Sequence, residues 1–599
     1  MQHVNSVQFL RDRRKEVNMV NLKIDGVPVE VEAGTTILNA AKKAGIKIPT
    51  LCYHPDLKPI ASCGLCIVKQ EGSAKIMRAC ASPVAEGQSI ITTDPELFET
   101  RKTIIELMLS THPTSCLTCV RNQNCELQTI AAEFGIREQP FVPRVSEKPI
   151  DDSSPAIIME PAKCIKCGRC VQVCQDLQGV YALEYIGRGA DVVMAPAAML
   201  KLDDSPCVKC GQCAAHCPVG AIYERDDTDR LRAAIADPDK IVCAQFAPSI
   251  RVGIGEEFGM KEGTVTTKKI NAVLRKLGCD KVFDTNFAAD LTIMEEGTEF
   301  VHRLTNKGVL PQLTSCCPAW TEYMEKFYPD MIPNFSSAKS PMQMQGAVTK
   351  TYFAEKAGLD PERIYSVAIM PCTAKKAEID KNEHMHSSGF QDNDLSITTR
   401  EFARMIKAAG IDFKNLPEEE ADDPIGEYSG AGTIFGATGG VMEAAVRTAY
   451  FLVTGKELAN VELDIVRGLD EGVKVGKIDV DGIEVKVAVV HGLSNIKSVL
   501  DEVRAAREAG KEPPYHFIEV MACKGGCVSG GGQPYASNDE NRKARAAGLY
   551  NDDENSKFRC SHQNPSIKKI YSDYLGAPLS EKSHHLLHTT YTETPLYKK

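Results

Sequence analysis

Two cysteines, Cys316 and Cys317, stand side by side in LTSCCPAWTEY at the end of an apolar run. Neighbouring residues of an extended chain project to opposite sides, so the two sulfurs can hardly bind one metal in the same way. Two further strand-like apolar runs end in cysteine: YSVAIMPCTAKKAE at Cys372, and YHFIEVMACKGGCVSGGG at Cys523 and Cys527. Ligands delivered from the C-terminal ends of separate strands suit the binding position of open α/β sheets. The chain has 23 cysteines in 599 residues. Their recurrent three-residue spacing suits shared metals or clusters rather than the disulfide framework of a small secreted domain.

The N-terminal cysteines fall into sets. Cys52, Cys63, Cys66 and Cys80 read C-x10-C-x2-C-x13-C, enough thiolate for two bridged irons or for a zinc ion. Before them, LKI and VEVE alternate around DGVP, a hairpin. TTILNAAKKAG then makes a short helix from a Thr cap to Gly45. Together these resemble a plant-type 2Fe–2S ferredoxin, although the spacings around the central cysteine pair depart from the usual short ones. His112, Cys116, Cys119 and Cys125 form H-x3-C-x2-C-x5-C. Zinc also accepts such a set, but its place after a ferredoxin domain resembles the His-ligated 4Fe–4S module of complex I's large cluster-bearing subunit. CIKCGRCVQVC and CVKCGQCAAHCPVG are an internal repeat of the bacterial two-cluster ferredoxin type. That resemblance implies one 4Fe–4S cluster on Cys164, Cys167, Cys170 and Cys217, and another on Cys207, Cys210, Cys213 and Cys174. Four clusters in the first 228 residues form an electron wire, and none of them looks able to transform a substrate.

From about residue 240 the chain alternates helix and strand patterns. VTTKKINAVLRKLG reads as a helix ending at Gly278, KVFDT as a strand, and DLTIMEEGTEFVHRLTNKG as a helix with a glycine stop. TSCCPAW, MPCTAKKAE and EVMACKGGC together resemble the three signature motifs of the iron-only (FeFe) hydrogenases, and the cluster-rich N-terminal half resembles that family's larger, multi-cluster members. The implied architecture is a multidomain α+β chain. It comprises an extension (1–19), a β-grasp 2Fe–2S ferredoxin domain (20–97), a 4Fe–4S module ligated by one histidine and three cysteines (98–137) and a two-cluster 4Fe–4S ferredoxin domain (138–228). An α/β catalytic domain (229–555) and a helical, small-subunit-like segment (556–599) follow.

The resemblance also implies an H-cluster: a 4Fe–4S cubane joined to a diiron centre with CO, cyanide and azadithiolate ligands. Cys317, Cys372, Cys523 and Cys527 would hold the cubane, with Cys527 bridging to the diiron unit. Cys316 would then pass protons instead of binding iron. A free thiol with a pKa near ~8.5 exchanges protons reversibly close to neutrality, which a serine hydroxyl cannot; the bland alternative is an inert buried thiol. Glu296 and Glu299, one helical turn apart, can share a face. By resemblance they carry protons from Cys316 through Ser336 to the surface, although glutamates on a helix are more often simply solvated. Lys375, with Glu378 as companion, would hydrogen-bond a cyanide. Ala247, Pro248 and Ser249 would make another cyanide contact, and Met370 and Met521 would wall the diiron centre, unless they are ordinary core. The glycines of EYSGAGTIFGATGG and CKGGCVSGGG lack a dinucleotide fingerprint and are expected to make room for a bulky cofactor.

Net charge −10 and the absence of a long basic patch argue against nucleic acid. No stretch approaches the ~18 apolar residues of a membrane span, and no secretory signal opens the chain, so a cytoplasmic place is expected. Cys243, Cys279 and Cys560 are isolated and read as structural. The expected activity is reversible 2H⁺ + 2e⁻ ⇌ H₂ in an anaerobic setting. Electrons would pass to ferredoxin or to flavin- and NAD(P)-binding partner subunits, possible electron bifurcation included, and maturation proteins would supply the diiron unit. A non-catalytic, hydrogenase-like scaffold or hydrogen sensor is the alternative.

Overall fold

The DGVP turn closes a hairpin. Met19–Ile24 pairs antiparallel with Val27–Glu32, and Asp25 and Gly26 both take positive φ, 47° and 80°, the twist that a two-residue hairpin turn needs. The computed structural model describes residues 18–145, 147–480, 482–535 and 538–598. Most of the expected N-terminal extension lies outside these, and Met19 is already in the first strand.

This hairpin belongs to the first of two units, which runs to residue 149 and includes 160–169 and 218–221. Its five-stranded sheet is completed by Ser89–Ile91, Ile67–Gln70 and Ile76–Arg78. Helix Ile37–Lys43 is capped by Thr36, whose hydroxyl accepts from Asn39 N–H at 3.3 Å. Its buried Ile37, Leu38, Ala40 and Ala41 share one core with the sheet and with Cys66 and Cys80.

The second unit, residues 150–159, 170–217 and 222 onward, contains two four-stranded sheets. Ile241–Phe246 and Ile364–Met370 are the centre of the first, which is all parallel, with Lys281–Asp284 and Leu395–Thr398 outside them. Nearly every residue of the central pair is buried, as a parallel sheet covered on both faces requires. The second sheet places Gln312–Leu313, Phe517–Met521 and Ile483–His491 in parallel, and Val473–Val480 closes it antiparallel. The three cysteine-bearing runs thus are strands, but they are divided between two sheets. Helix Thr267–Leu277 stops at Gly278, whose φ is 109°.

Asp284 ends a strand and begins a helix. Its carboxylate accepts from Asn286 N–H at 3.0 Å, so the helix starts at Thr285 and runs to Thr305, rather than starting at Asp290 as the sequence pattern suggests. Arg251 Nη2 donates to both Asp284 oxygens, at 2.8 and 2.9 Å, and Arg251 Nε donates to Pro248 O at 2.9 Å. Both charged groups are shut from solvent. The pair ties the Ala247–Ser249 loop to the head of the central helix. In the C-terminal segment, Ile567, Ile570, Leu586 and Leu587 pack against Phe287, Leu291 and Met344. Cys243, Cys279 and Cys560 are buried. Among the described residues no helix is long and apolar enough to cross a membrane.

Asp284→Asn would remove the two-oxygen partner of the buried Arg251 guanidinium and leave it only Asp552, at 3.2 Å, as a counter-charge, a loss of up to about 3–5 kcal/mol. The anaerobic thermal unfolding midpoint should fall by several degrees; an unchanged midpoint would show the pair to be dispensable.

Candidate active site

The C-terminal ends of strands from both sheets open onto one cavity with about 780 Å³ of empty space. Met370 and Met521 are the last residues of their strands. Cys316, Cys317, Cys372, Cys523 and Cys527 line the cavity together with Ala247, Pro248, Ser249, Met370, Lys375 and Met521. Thiolate sulfur suits iron, and these thiols come from three loops with apolar walls between them. Ser249 Oγ is fully buried and has no hydrogen-bond partner. Lys375 Nζ donates to Glu378 Oε2 at 2.7 Å and to Cys316 O at 3.2 Å, leaving one of its three hydrogens unused. Burial opposes the charge on Lys375, but Glu378 beside it outweighs that and holds the pKa above the usual lysine value. A buried hydroxyl and a charged donor, both with bonding capacity left, fit a cofactor bearing small anionic ligands.

Burial pushes the Cys316 thiol well above its free value, and Glu296 and Cys317 add to the rise. The near-neutral thiol expected from the sequence is therefore corrected: in this pocket the neutral SH form is strongly favoured, because the charged form has lost its water. The glycines also have a different reason from the expected one. A Cβ on Gly526 would lie 2.6 Å from Thr438 N, and one on Gly530 would lie 2.2 Å from Pro371 O. These loops need glycine chiefly so that they can press against one another and close the cavity wall.

Glu296 and Glu299 both lie on helix Thr285–Thr305. Neither carboxylate oxygen of Glu296 has a hydrogen-bond partner. Burial, then Glu299, pushes its pKa up to about 8, so it is protonated at neutral pH. Ser336 Oγ donates to Glu299 Oε2 at 2.7 Å, and Arg303 Nη2 donates to Glu299 Oε1 at 2.6 Å. The Glu299 and Arg303 side chains reach partial exposure.

The other predicted ligands fall into smaller groups. In the first unit, Cys66 Sγ and Cys80 Sγ are 3.3 Å apart, and Cys63 N–H donates to Cys52 Sγ at 3.5 Å. Buried Arg101 steadies their loop by donating to the Leu65 and Ile67 carbonyls. His112, Cys116, Cys119 and Cys125 line a cavity of about 300 Å³. His112 Nδ1 is buried without a partner, and burial, then Lys163, lowers its pKa to about 4. That leaves the neutral ring a metal or cluster ligand requires. In the second unit, Cys174, Cys207, Cys210 and Cys213 line a cavity of about 350 Å³. Cys210 also lines the large cavity. Cys164 and Cys167 lie in the first unit, and Cys170 and Cys217 in the second.

The profile described as "Iron only hydrogenase large subunit, C-terminal domain" matches residues 240–531. "Iron hydrogenase small subunit" matches 539–594. A 2Fe-2S iron-sulfur cluster binding domain matches 17–95, the NADH-ubiquinone oxidoreductase-G iron-sulfur binding region 101–140, and a 4Fe-4S dicluster domain 154–221. The chain is 46% identical over 589 residues to NADP-reducing hydrogenase subunit HndD of Solidesulfovibrio fructosivorans, covering 96% of this chain and 99% of that one. It is 41% identical to iron hydrogenase 1 of Clostridium pasteurianum, over 96% of this chain and 100% of the relative. The chain belongs to the iron-only (FeFe) hydrogenases. A solved apo [FeFe]-hydrogenase HydA1 from Chlamydomonas reinhardtii, a cysteine-to-histidine variant, aligns at 43% identity and TM-score 0.54, over 61% of this chain and 99% of that one.

This hydrogenase is accordingly an oxidoreductase acting on hydrogen, a multidomain chain with 2Fe–2S, 4Fe–4S and H-cluster domains. Several of its site residues have no clear sequence signal. Thr285, Met342 and Phe435 line the cavity but are ordinary core types. Gln212 Nε2 donates to Cys523 Sγ at 3.1 Å; its place inside the second cysteine repeat was the available hint. Glu519 is fully buried in its strand, accepts from Gly439 and Met442 N–H at 2.6 and 2.7 Å, and is raised by burial to about 7. An acid in an otherwise apolar FIEVM run was the signal for it.

The raised Glu296 group gives a spectroscopic expectation. Infrared difference spectra should contain a protonated-carboxyl C=O band that disappears as pH rises through about 8 and is missing in Glu296→Gln. A carboxylate at pH 6 would contradict the burial argument.

Proposed function

We propose that this hydrogenase interconverts protons, electrons and H₂ at the large cavity, with Cys317, Cys372, Cys523 and Cys527 as the cubane ligands and Cys316 as the proton donor and acceptor. When bound, the H-cluster supplies the redox centre at which 2H⁺ + 2e⁻ ⇌ H₂ is balanced. The observation that carries the reading is the meeting of six cysteines around one apolar cavity: Cys210 from the neighbouring cysteine repeat, and five from the three strand-end loops, one more than a cubane needs. Cys527 would be the cubane ligand that joins it to the diiron unit. Lys375 and the Ala247–Ser249 loop would hold cyanide ligands by their remaining donors, Glu378 keeps the ammonium in place, and Met370 and Met521 would exclude water. Protons move between Cys316 and the surface by way of Glu296, Ser336 and Glu299, with a water between the thiol and the first acid. A carboxylic acid with a pKa close to working pH both gives and takes a proton readily.

Electrons reach the cavity by way of Cys210, a ligand of the cluster on Cys174, Cys207, Cys210 and Cys213 that also lines the cavity. The cluster on Cys164, Cys167, Cys170 and Cys217, the His112, Cys116, Cys119 and Cys125 cluster, and the 2Fe–2S centre on Cys52, Cys63, Cys66 and Cys80 extend the wire. Its far end serves a flavin- and NAD(P)-binding partner subunit, with ferredoxin as a second donor or acceptor. The likeness to an NADP-reducing hydrogenase subunit and to an NADH-ubiquinone oxidoreductase-G region supports this. We place the enzyme in the cytoplasm of an anaerobic cell.

Two experiments test these assignments. Cys316→Ala, matured anaerobically, should retain the metal-bound CO and cyanide infrared bands and lose nearly all H₂ turnover; full turnover would refute the proton role. The isolated wild-type chain should evolve H₂ from reduced viologen yet fail to reduce NADP⁺ with H₂ until a flavoprotein partner is added. NADP⁺ reduction by the chain alone would overturn the partner assignment.

A further inference from the structure

A second buried polar network lies behind the proton relay and belongs to the C-terminal segment. His588, the residue after helix Glu581–Leu587, is 1% exposed. Its Nε2 lies 3.0 Å from Glu295 Oε2 and its Nδ1 lies 2.8 Å from Ser337 Oγ. Glu295 is fully buried and also accepts from Leu579 N–H at 2.9 Å and from the Tyr571 and Ser583 hydroxyls. A carboxylate only accepts, so Nε2 carries the hydrogen of that contact. Nδ1 is left to bond the Ser337 hydroxyl.

Ser337 is next to the relay serine and touches the same acid. Its N–H donates to Glu299 Oε2 at 3.2 Å, the oxygen that also accepts from Ser336 Oγ at 2.7 Å. The turn is held by backbone on both sides. Ser336 N–H donates to Leu313 O at 2.9 Å, Thr589 N–H to Ser337 O at 2.8 Å, and Lys339 N–H to Leu587 O at 2.8 Å. Among the described residues, His588 is therefore the side chain that fixes the Ser337 hydroxyl, while the backbone beside it pins the turn. The exposed ring of His584 stacks on it at 4.5 Å. Glu295 and Glu299, four residues apart on the same helix, share a face; Glu299 bonds the turn directly and Glu295 reaches it through His588.

We propose that His588 is a positioning residue of the proton relay: by holding Ser337 from the C-terminal segment, it keeps the Ser336–Ser337 turn at hydrogen-bonding distance from Glu299. This rests on the relay reading given above. It assigns a catalytic duty to the small-subunit-like segment, which otherwise looks like packing alone. Proton transfer between relay groups falls off steeply when donor and acceptor leave hydrogen-bond reach, so a turn that is free to drift slows turnover without disturbing the metal site.

The test uses the matured full chain and H₂ evolution from reduced viologen in H₂O and D₂O. His588→Leu should keep the CO and cyanide infrared bands, lose about tenfold in rate, as one misplaced hydrogen bond predicts, and show an enlarged solvent isotope effect. His588→Asn, which retains a polar atom near the Nδ1 position, should recover most of the rate. His588→Gln, which reaches Glu295 but not Ser337, should not. Ser337→Ala leaves the Glu295 bond intact and should reproduce the Leu phenotype, which covers the case in which the Leu variant fails to fold. Wild-type rate and isotope effect in Ser337→Ala, or equal recovery by Asn and Gln, would overturn the proposal. Glu299→Gln in the same assay separates the two readings. If it is fully active, the relay itself is wrong. If it is inactive while His588→Leu and Ser337→Ala are normal, only the positioning role is lost.

Discussion

Charge must enter this molecule in two forms, electrons and protons, and meet at a cavity from which water is excluded. On the reading proposed above, that constraint is expressed in a single peptide: Cys316 and Cys317 are consecutive, so one loop would serve both the metal and the protons. Everything else positions that loop. The strand before it is only two residues long, and Pro318 starts the helix that follows, with Cys317 as its N-cap, a favoured place for proline. The loop is thereby held between two elements that leave its sulfurs little freedom.

Burial explains the chemistry around it. Desolvation raises the thiols, Glu296 and Glu519, and the same low polarity strengthens each hydrogen bond and ion pair that remains. Several charged groups that stay buried are paired: Arg251 with Asp284, Lys339 with Asp392, and Arg400 with Glu224. Glu296 is different. It is buried and unpaired, so the neutral acid is favoured, which is costly for a structural residue and suits the proton-passing role we propose for it. Its setting contrasts with Glu299, which is bonded to Ser336 and Arg303 and reaches toward solvent.

The sequence was most legible where chemistry depends on spacing. The cysteine repeats, the hairpin at DGVP, the helix stop at Gly278 and the cysteine-bearing strand ends are local patterns, and the structure contains them. It was least legible where function depends on contacts between distant segments. Nothing in CVKCGQC reveals that Cys210 borders the large cavity or that Gln212 reaches Cys523, because those distances are set by tertiary packing. His588 sits in a histidine-rich stretch with no nearby cysteines, and only the fold brings it to Ser337. The pKa expectation for Cys316 failed for the same reason: a free-thiol value describes a residue in water, and burial is invisible in a linear pattern. The glycine-rich loops suggest space for a cofactor when seen as sequence, whereas their close partners are other backbone segments.

The division of work between adjacent thiols is tested most directly by an anaerobic crystal structure of the matured enzyme with iron located by anomalous scattering. Iron should be bonded to the sulfurs of Cys317, Cys372, Cys523 and Cys527, with Cys316 Sγ unbonded and facing the Glu296 side. Iron bonded to Cys316, or a cluster lacking Cys317, would contradict it.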